Sequence, residues 1–270
     1  MAAAPSDQVT ACVLLIGDEI LSGRTKDANL SYIARHLGEM GVQVREARVI
    51  PDVEEVIVAT VNEVRAKYDY VFTTGGIGPT HDDITADCVA KAFAVEIGYH
   101  PEAMEILTAH YKETGNEFTD ARKRMARIPE GASLIPNPVS KAPGFQMGNV
   151  FVMAGIPMIM QVMMDGLAGR LKGGRKMLAR TVSCEMGEGQ LAEGLRALQE
   201  THPSVTIGSY PFFFEKRYGT SIVMRSIDEE ELGLVEEEVR ALMLGLGAAP
   251  IDGEVRGGQG PKEGAAAGAS

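Results

Sequence analysis

Thr73-Thr74-Gly75-Gly76-Ile77-Gly78-Pro79-Thr80-His81-Asp82-Asp83 follows directly on Tyr70-Val71-Phe72. Tyr70 to Thr74 is a β-branched and aromatic run of the kind a parallel strand covered on both faces requires. It stops at two glycines. Gly75, Gly76 and Gly78 let backbone approach a ligand closely and offer N–H donors. Pro79 stiffens the turn, and Asp82 or Asp83 is placed to cap a helix beginning near Ile84. A helix N-terminus there favours an anion. The same string also reads as a plain turn followed by a capping aspartate. The ligand reading makes a stronger demand: a side chain added at Gly76 should keep a phosphate off the loop.

Upstream, the apolar run Cys12 to Ile16 reads as the first buried strand, and it delivers Gly17-Asp18-Glu19-Ile20-Leu21-Ser22-Gly23, then Lys26, Asp27 and Asn29. From Leu30 the apolar residues Leu30, Ile33, Ala34, Leu37 and Met40 recur at helical spacing. Val42 to Ile50 is a second strand, broken by Pro51-Asp52, and Val53 to Val64 a second amphipathic helix. Three strand–helix units in succession imply right-handed parallel crossovers and a layered α/β domain whose ligand sits outside the carboxyl ends of the strands. Asp18, Asp52, Asp82 and Asp83 all fall just beyond such ends. Convergence of acids from separate strands is hard to explain as packing.

The chain has 270 residues, 45% of them hydrophobic, which suits one large core and a smaller one. With 26 Lys and Arg against 37 Asp and Glu the net charge is −11, a field that works against non-specific contact with nucleic acid or an anionic membrane. Cys12, Cys88 and Cys184 are widely spaced and form no Cys-x-x-Cys pair, which fits reduced, buried thiols and a cytoplasmic setting. Met1 to Thr10 lacks the basic start of a signal peptide. The most apolar helical stretch, Ile156 to Leu167, carries Gln161 and Asp165 and falls well short of the ~20 residues of a membrane span. A soluble protein is expected.

Beyond the motif, Ile84 to Phe93 and a segment opened by Pro101 read as helices. Phe118 to Met125 holds Arg122, Lys123 and Arg124, either a solvated basic face or a reach toward substrate phosphate. Leu134-Ile135 and Val150 to Met153 read as strands around the proline-rich loop Pro136 to Phe145. Met158, Met160, Met163 and Met164 read as core filler. Lys172-Gly173-Gly174-Arg175-Lys176 is a linker, after which a strand, a helix, a strand pair and a closing helix make a small α+β domain. The linker's Gly-Gly lies between a helix and a strand rather than between two helices, which argues against RNA binding. Gly253 to Ser270 is expected to be a disordered tail. His81 has no His or Cys partner at ligand spacing, so zinc is not expected.

Gly75-Gly76-Ile77-Gly78-Pro79 closing at Asp83 resembles the signature of the molybdopterin-binding (MoaB/Mog-like) domain, and Thr80-His81-Asp82-Asp83 looks like its CinA branch. The resemblance implies a three-layer α/β/α, mostly parallel sheet over residues 8–171, a small KH-like α+β domain over 177–250, and the tail over 253–270. It places ligand and phosphate contacts at Thr74, Gly75, Gly76, Gly78, Pro79, Thr80, Asp18, Ser22 and Asn29. A second ligand-facing loop is implied at Pro136 to Phe145, with Ala142, Pro143 and Gly144 as its most recognisable part. Asp83 and Asp52 match the family's two key aspartates, so they are the expected catalytic pair. Asp83 with Asp82 is the expected site for a divalent metal: magnesium, manganese or cobalt. The implied activities are hydrolysis of ADP-ribose-like diphosphates, as in CinA relatives, non-catalytic binding of a pterin or nucleotide, or adenylylation of molybdopterin, as in the Mog branch. A homodimer is implied, with neither nucleic acid nor membrane as partner. Where CinA-like sequences carry Glu, this one has Ile159. The nicotinamide-mononucleotide deamidase domain into which CinA proteins often continue has no counterpart in these residues, and that activity is not expected.

Overall fold

Every side chain from Ala11 to Ile16 is buried, so this part of the first strand has no solvent face. Ala11, Val13 and Leu15 pack in one apolar cluster with Ile33, Leu37, Met160 and Met163, while Cys12, Leu14 and Ile16 join another with Ile57, Val61, Cys88 and Val89. Two clusters on alternate residues are what a sheet sandwiched between helices produces. The computed structural model describes residues 8–214 and 217–255. They divide into two units, with the break between Lys176 and Met177.

In the larger unit the chain runs β1 (Val9–Ile16), α1 (Asp18–Leu21), α2 (Asn29–Glu39), β2 (Val42–Ile50), α3 (Glu54–Lys67), β3 (Tyr70–Thr74) and α4 (Thr85–Ala92). An excursion follows, made of β4 (Ile97–Tyr99), α5 (Pro101–Glu113), α6 (Asp120–Lys123) and β5 (Arg127–Pro129), with β4 and β5 paired antiparallel. The chain then returns through β6 (Ser133–Ile135), β7 (Gly144–Met147), β8 (Val150–Met153) and α7 (Pro157–Asp165). The main sheet has the order β2-β1-β3-β8-β7-β6. Its first four strands are mutually parallel, and β7 and β6 add an antiparallel edge. It is a three-layer α/β/α sandwich.

Several elements depart from expectation. β4, β5 and β7 have three or four residues each, too short to show a period. Met158 is 61% exposed, unlike Met160, Met163 and Met164, because it lies on the outer side of α7. Helix α4 takes Ile84 as its N-cap with no side-chain capping bond, so neither Asp82 nor Asp83 caps it. Burial pushes the Cys12 thiol up to about 11 and the Cys88 thiol up to about 12, which makes both packing groups rather than nucleophiles.

The smaller unit comprises β9 (Leu178–Cys184), α8 (Glu188–Thr201), β10 (Thr206–Phe214), β11 (Arg217–Ser226), α9 (Glu229–Gly245) and β12 (Ile251–Asp252). Its antiparallel sheet has the order β10-β11-β9-β12, and Leu191, Leu195, Val235 and Val239 bury the helices against it. No two of its helices are consecutive, so the described residues contain no KH-type loop between two helices. β12 pairs with β9, and Gly253 N–H donates to Thr181 O at 3.0 Å. The unit therefore runs past residue 250, and Gly253, expected to open the tail, is fixed to the sheet. Residues 256–270 lie outside the described part. No helix among the described residues is long and apolar enough to cross a membrane.

Candidate functional site

Register brings the strand ends together. Ile16 pairs with Ile50, Leu15 with Thr74, and Thr74 with Met153, so β1, β2, β3 and β8 stop side by side. β2 and β3 lie on opposite sides of β1, the switch point beside which open α/β sheets bind ligands. Asp18 and Asp52, each two residues past its strand, meet there: Asp18 N–H donates to Asp52 Oδ2 at 3.1 Å.

Gly75 and Gly76 have φ of 103° and 67°, left-handed values that side chains other than glycine adopt only under strain. A Cβ on Gly75 would stand 2.1 Å from Ile16 O, so the turn leaving β3 rests directly on the end of β1. A Cβ on Gly76 would meet Thr85 Oγ1 at 2.1 Å, and Thr85 is fully buried. This corrects the expectation for Gly76: an added side chain collides inside the protein before it reaches any ligand. Gly75 N–H is engaged with Met153 O at 3.2 Å. The N–H groups of Gly76, Ile77 and Gly78 find no acceptor among the described residues, which makes these three the donors available to an anion.

Asp83 closes this turn. Its Oδ2 accepts from Thr80 N–H at 2.8 Å and Thr80 Oγ1 at 2.5 Å, while Oδ1 accepts no hydrogen bond among the described residues. Arg124 donates to Asp83 O at 3.4 Å from behind. Asp52 is partly buried and holds its proton more tightly than an ordinary aspartate, first because it is desolvated and then because Asp18, Glu19 and Asp82 add negative charge nearby. The penalty for its ionised form is present at neutral pH and disappears as pH falls through the raised pKa toward the ordinary value. Asp52→Asn keeps an acceptor for Asp18 N–H and should raise the metal-free melting temperature at pH 7 by about 1–3 °C. The gain should vanish near pH 3. Equal melting at both pH values would show that the charge at Asp52 is already compensated.

A cleft of about 600 Å³, within the range of small-molecule sites, opens over the turn. Of the residues expected to touch ligand, Gly75, Gly76, Gly78, Pro79, Asp83 and Ala142 line it. The others do not. Thr74 is buried in the sheet, Thr80 is engaged with Asp83, and Ser22 is exposed with its hydroxyl on Glu19 O. Asn29 is 4% exposed and donates to Gly155 O at 2.8 Å, so it ties α2 to the loop after β8. Pro143 and Gly144 are buried, the latter inside β7. Asp82 is largely exposed beside an almost fully exposed His81 and lies outside the cleft wall. Asn137 and Ser140, in the loop expected to face ligand, also line the cleft, as does Tyr111, which the sequence showed only as part of a helix. Asn137 folds that loop, its side-chain oxygen accepting from Val139 N–H and Ser140 N–H.

Residues 12–173 match the family described as the probable molybdopterin binding domain. The chain belongs to that family. Residues 176–246 match the middle domain of FAD synthase. A protein from Pyrobaculum calidifontis is 36% identical over 211 residues, covering 75% of this chain and 80% of the relative. A CinA-like protein from Citrifermentans bemidjiense is 36% identical over 198 residues, 67% of this chain, and the chain spans about half (48%) of that relative's length. The crystal structure of CinA from Thermoplasma acidophilum, described as of unknown function, matches with 31% identity and a TM-score of 0.55 over 60% of this chain and 98% of that one. In this molybdopterin-binding domain no three His, Cys, Asp or Glu side chains converge on a metal position among the described residues. Asp83 Oδ1 and the under-compensated Asp52 are hard oxygen donors. Asp83 stands in the cleft wall and Asp52 does not; oxygens of this kind suit a divalent cation only where ligand oxygens and water complete its shell.

Proposed function

We propose that the chain is a divalent-cation-dependent pyrophosphatase that cleaves nucleotides joined through a diphosphate, with ADP-ribose as the representative substrate. The observation that carries this reading is Asp83: one carboxylate oxygen is fixed by Thr80 and the other is open, in the wall of a cleft floored by unpaired N–H groups. Gly76, Ile77 and Gly78 receive phosphoryl oxygens and take up the charge that develops on them. Asp83 and Asp52 would hold the cation, which supplies Lewis-acid polarisation of the diphosphate. Thr80 prevents Asp83 from rotating as ligand enters.

The test is AMP release from ADP-ribose, FAD and NAD with magnesium, manganese or cobalt, against chelator controls. Release that requires the cation is expected with at least one substrate. No AMP with any metal would leave the second reading, a non-catalytic pterin or nucleotide binding module. That reading draws on Ile159, which lines the cleft with an apolar side chain, 8% exposed, where the CinA pattern has a carboxylate. Either reading is proposed for a homodimer, and a monomeric mass in solution scattering would refute that assembly.

A further inference from the structure

The basic run Arg122 to Arg127 is divided among four destinations. Lys123 pairs with Asp120 at 2.7 Å and Arg127 with Asp87 at 2.6 Å, so both are neutralised locally. Arg124 bonds the backbone behind Asp83. Arg122 has no carboxylate within ion-pairing distance among the described residues, although the chain carries a net charge of −11. Its guanidinium lies over the Tyr111 ring, 4.7 Å from the centroid, and donates to Glu117 O. Tyr111 is itself stacked on Phe118, with centroids 5.1 Å apart and planes at 17°. Both Tyr111 and Arg122 line the cleft that Gly76 and Gly78 floor.

A half-buried guanidinium with a fixed plane, spare donors and no counter-ion is a receptor for an oxyanion. The cleft thus holds two separate anion receptors: the N–H groups of the glycine turn and Arg122. We infer that the cleft selects ligands with two linked phosphates over those with one, and that Arg122, held flat by Tyr111, is the residue that makes the distinction. The inference rests on the proposed nucleotide-binding cleft and names its ligand class, but it does not depend on hydrolysis.

Calorimetry without metal, using ADP, AMP and adenosine as probes, tests it. Wild type should bind ADP about tenfold or more tightly than AMP, and added salt should shrink that preference. Arg122→Gln should bring the ADP to AMP ratio near one while leaving adenosine affinity unchanged. Arg122→Lys, which keeps the charge without the planar fork, should give an intermediate ratio and guards against a folding defect in the first variant. A wild-type ratio near one, or a ratio undisturbed in Arg122→Gln, overturns the inference. Wild type that prefers ADP but releases no AMP from any diphosphate would refute only the pyrophosphatase reading. Failure to bind all three probes would refute both.

Discussion

Gly75→Ala lowers the melting temperature of the larger unit by about 10 °C. Two costs add. The residue sits at φ 103°, where a Cβ is strained, and that Cβ would stand 2.1 Å from Ile16 O, a backbone atom at the end of a fully buried strand. Ile16 cannot retreat, because β1 is bonded on both sides by β2 and β3. Together the terms come to about 3–5 kcal/mol. Gly98 is the control: it lies in β4 with nothing within 4 Å of a built Cβ, so Gly98→Ala should melt within a degree or two of wild type. Circular dichroism melts of the three proteins measure the difference. A Gly75→Ala protein as stable as Gly98→Ala would mean that the turn can open away from β1, and the close contact of the two strand ends would have to be abandoned.

The layered α/β fold was legible because β1 holds the apolar run Ala11 to Ile16, β3 is β-branched and aromatic throughout, and α2 carries Ile33 and Leu37 at helical spacing. Convergence of Asp18 and Asp52 was legible too, since each follows its strand by two residues and the register aligns Ile16 with Ile50. The cleft's far wall was legible only in part: Arg122 stood in a basic run offered as either a solvated face or a reach toward phosphate, and Tyr111 was not singled out. Tyr111 and Arg122 arrive on the excursion between β4 and β5, whose small cluster of Ala103, Leu107 and Ala126 leaves no long period in the sequence. Nothing in local pattern says that Lys123 and Arg127 find acids while Arg122 does not. The role of Asp83 changed for a similar reason: an aspartate one residue before Ile84 looks like a cap, but Thr80 claims it first, and the helix begins without one.

Asp83→Asn should reduce metal-dependent AMP release by about a thousandfold while the protein keeps its fold and its nucleotide affinity. The amide oxygen of the variant side chain can accept from Thr80 N–H and Thr80 Oγ1 in place of Asp83 Oδ2, so the turn stays closed. What disappears is the charge on the second oxygen, the one with no protein partner. If that oxygen holds the cation, raising the metal concentration should recover part of the rate. If it only orients the attacking water, the deficit should be the same at every metal concentration. Metal-free ADP affinity should stay level or improve, since one negative charge has left a cleft that receives an anion. The combination separates Asp83 from the glycine turn, where a substitution damages fold and binding together. Single-turnover AMP release across a metal titration, with ADP calorimetry beside it, reads both quantities. Turnover within tenfold of wild type at saturating metal would remove Asp83 from the reaction and leave Asp52, with Asp18 beside it, as the carboxylate centre.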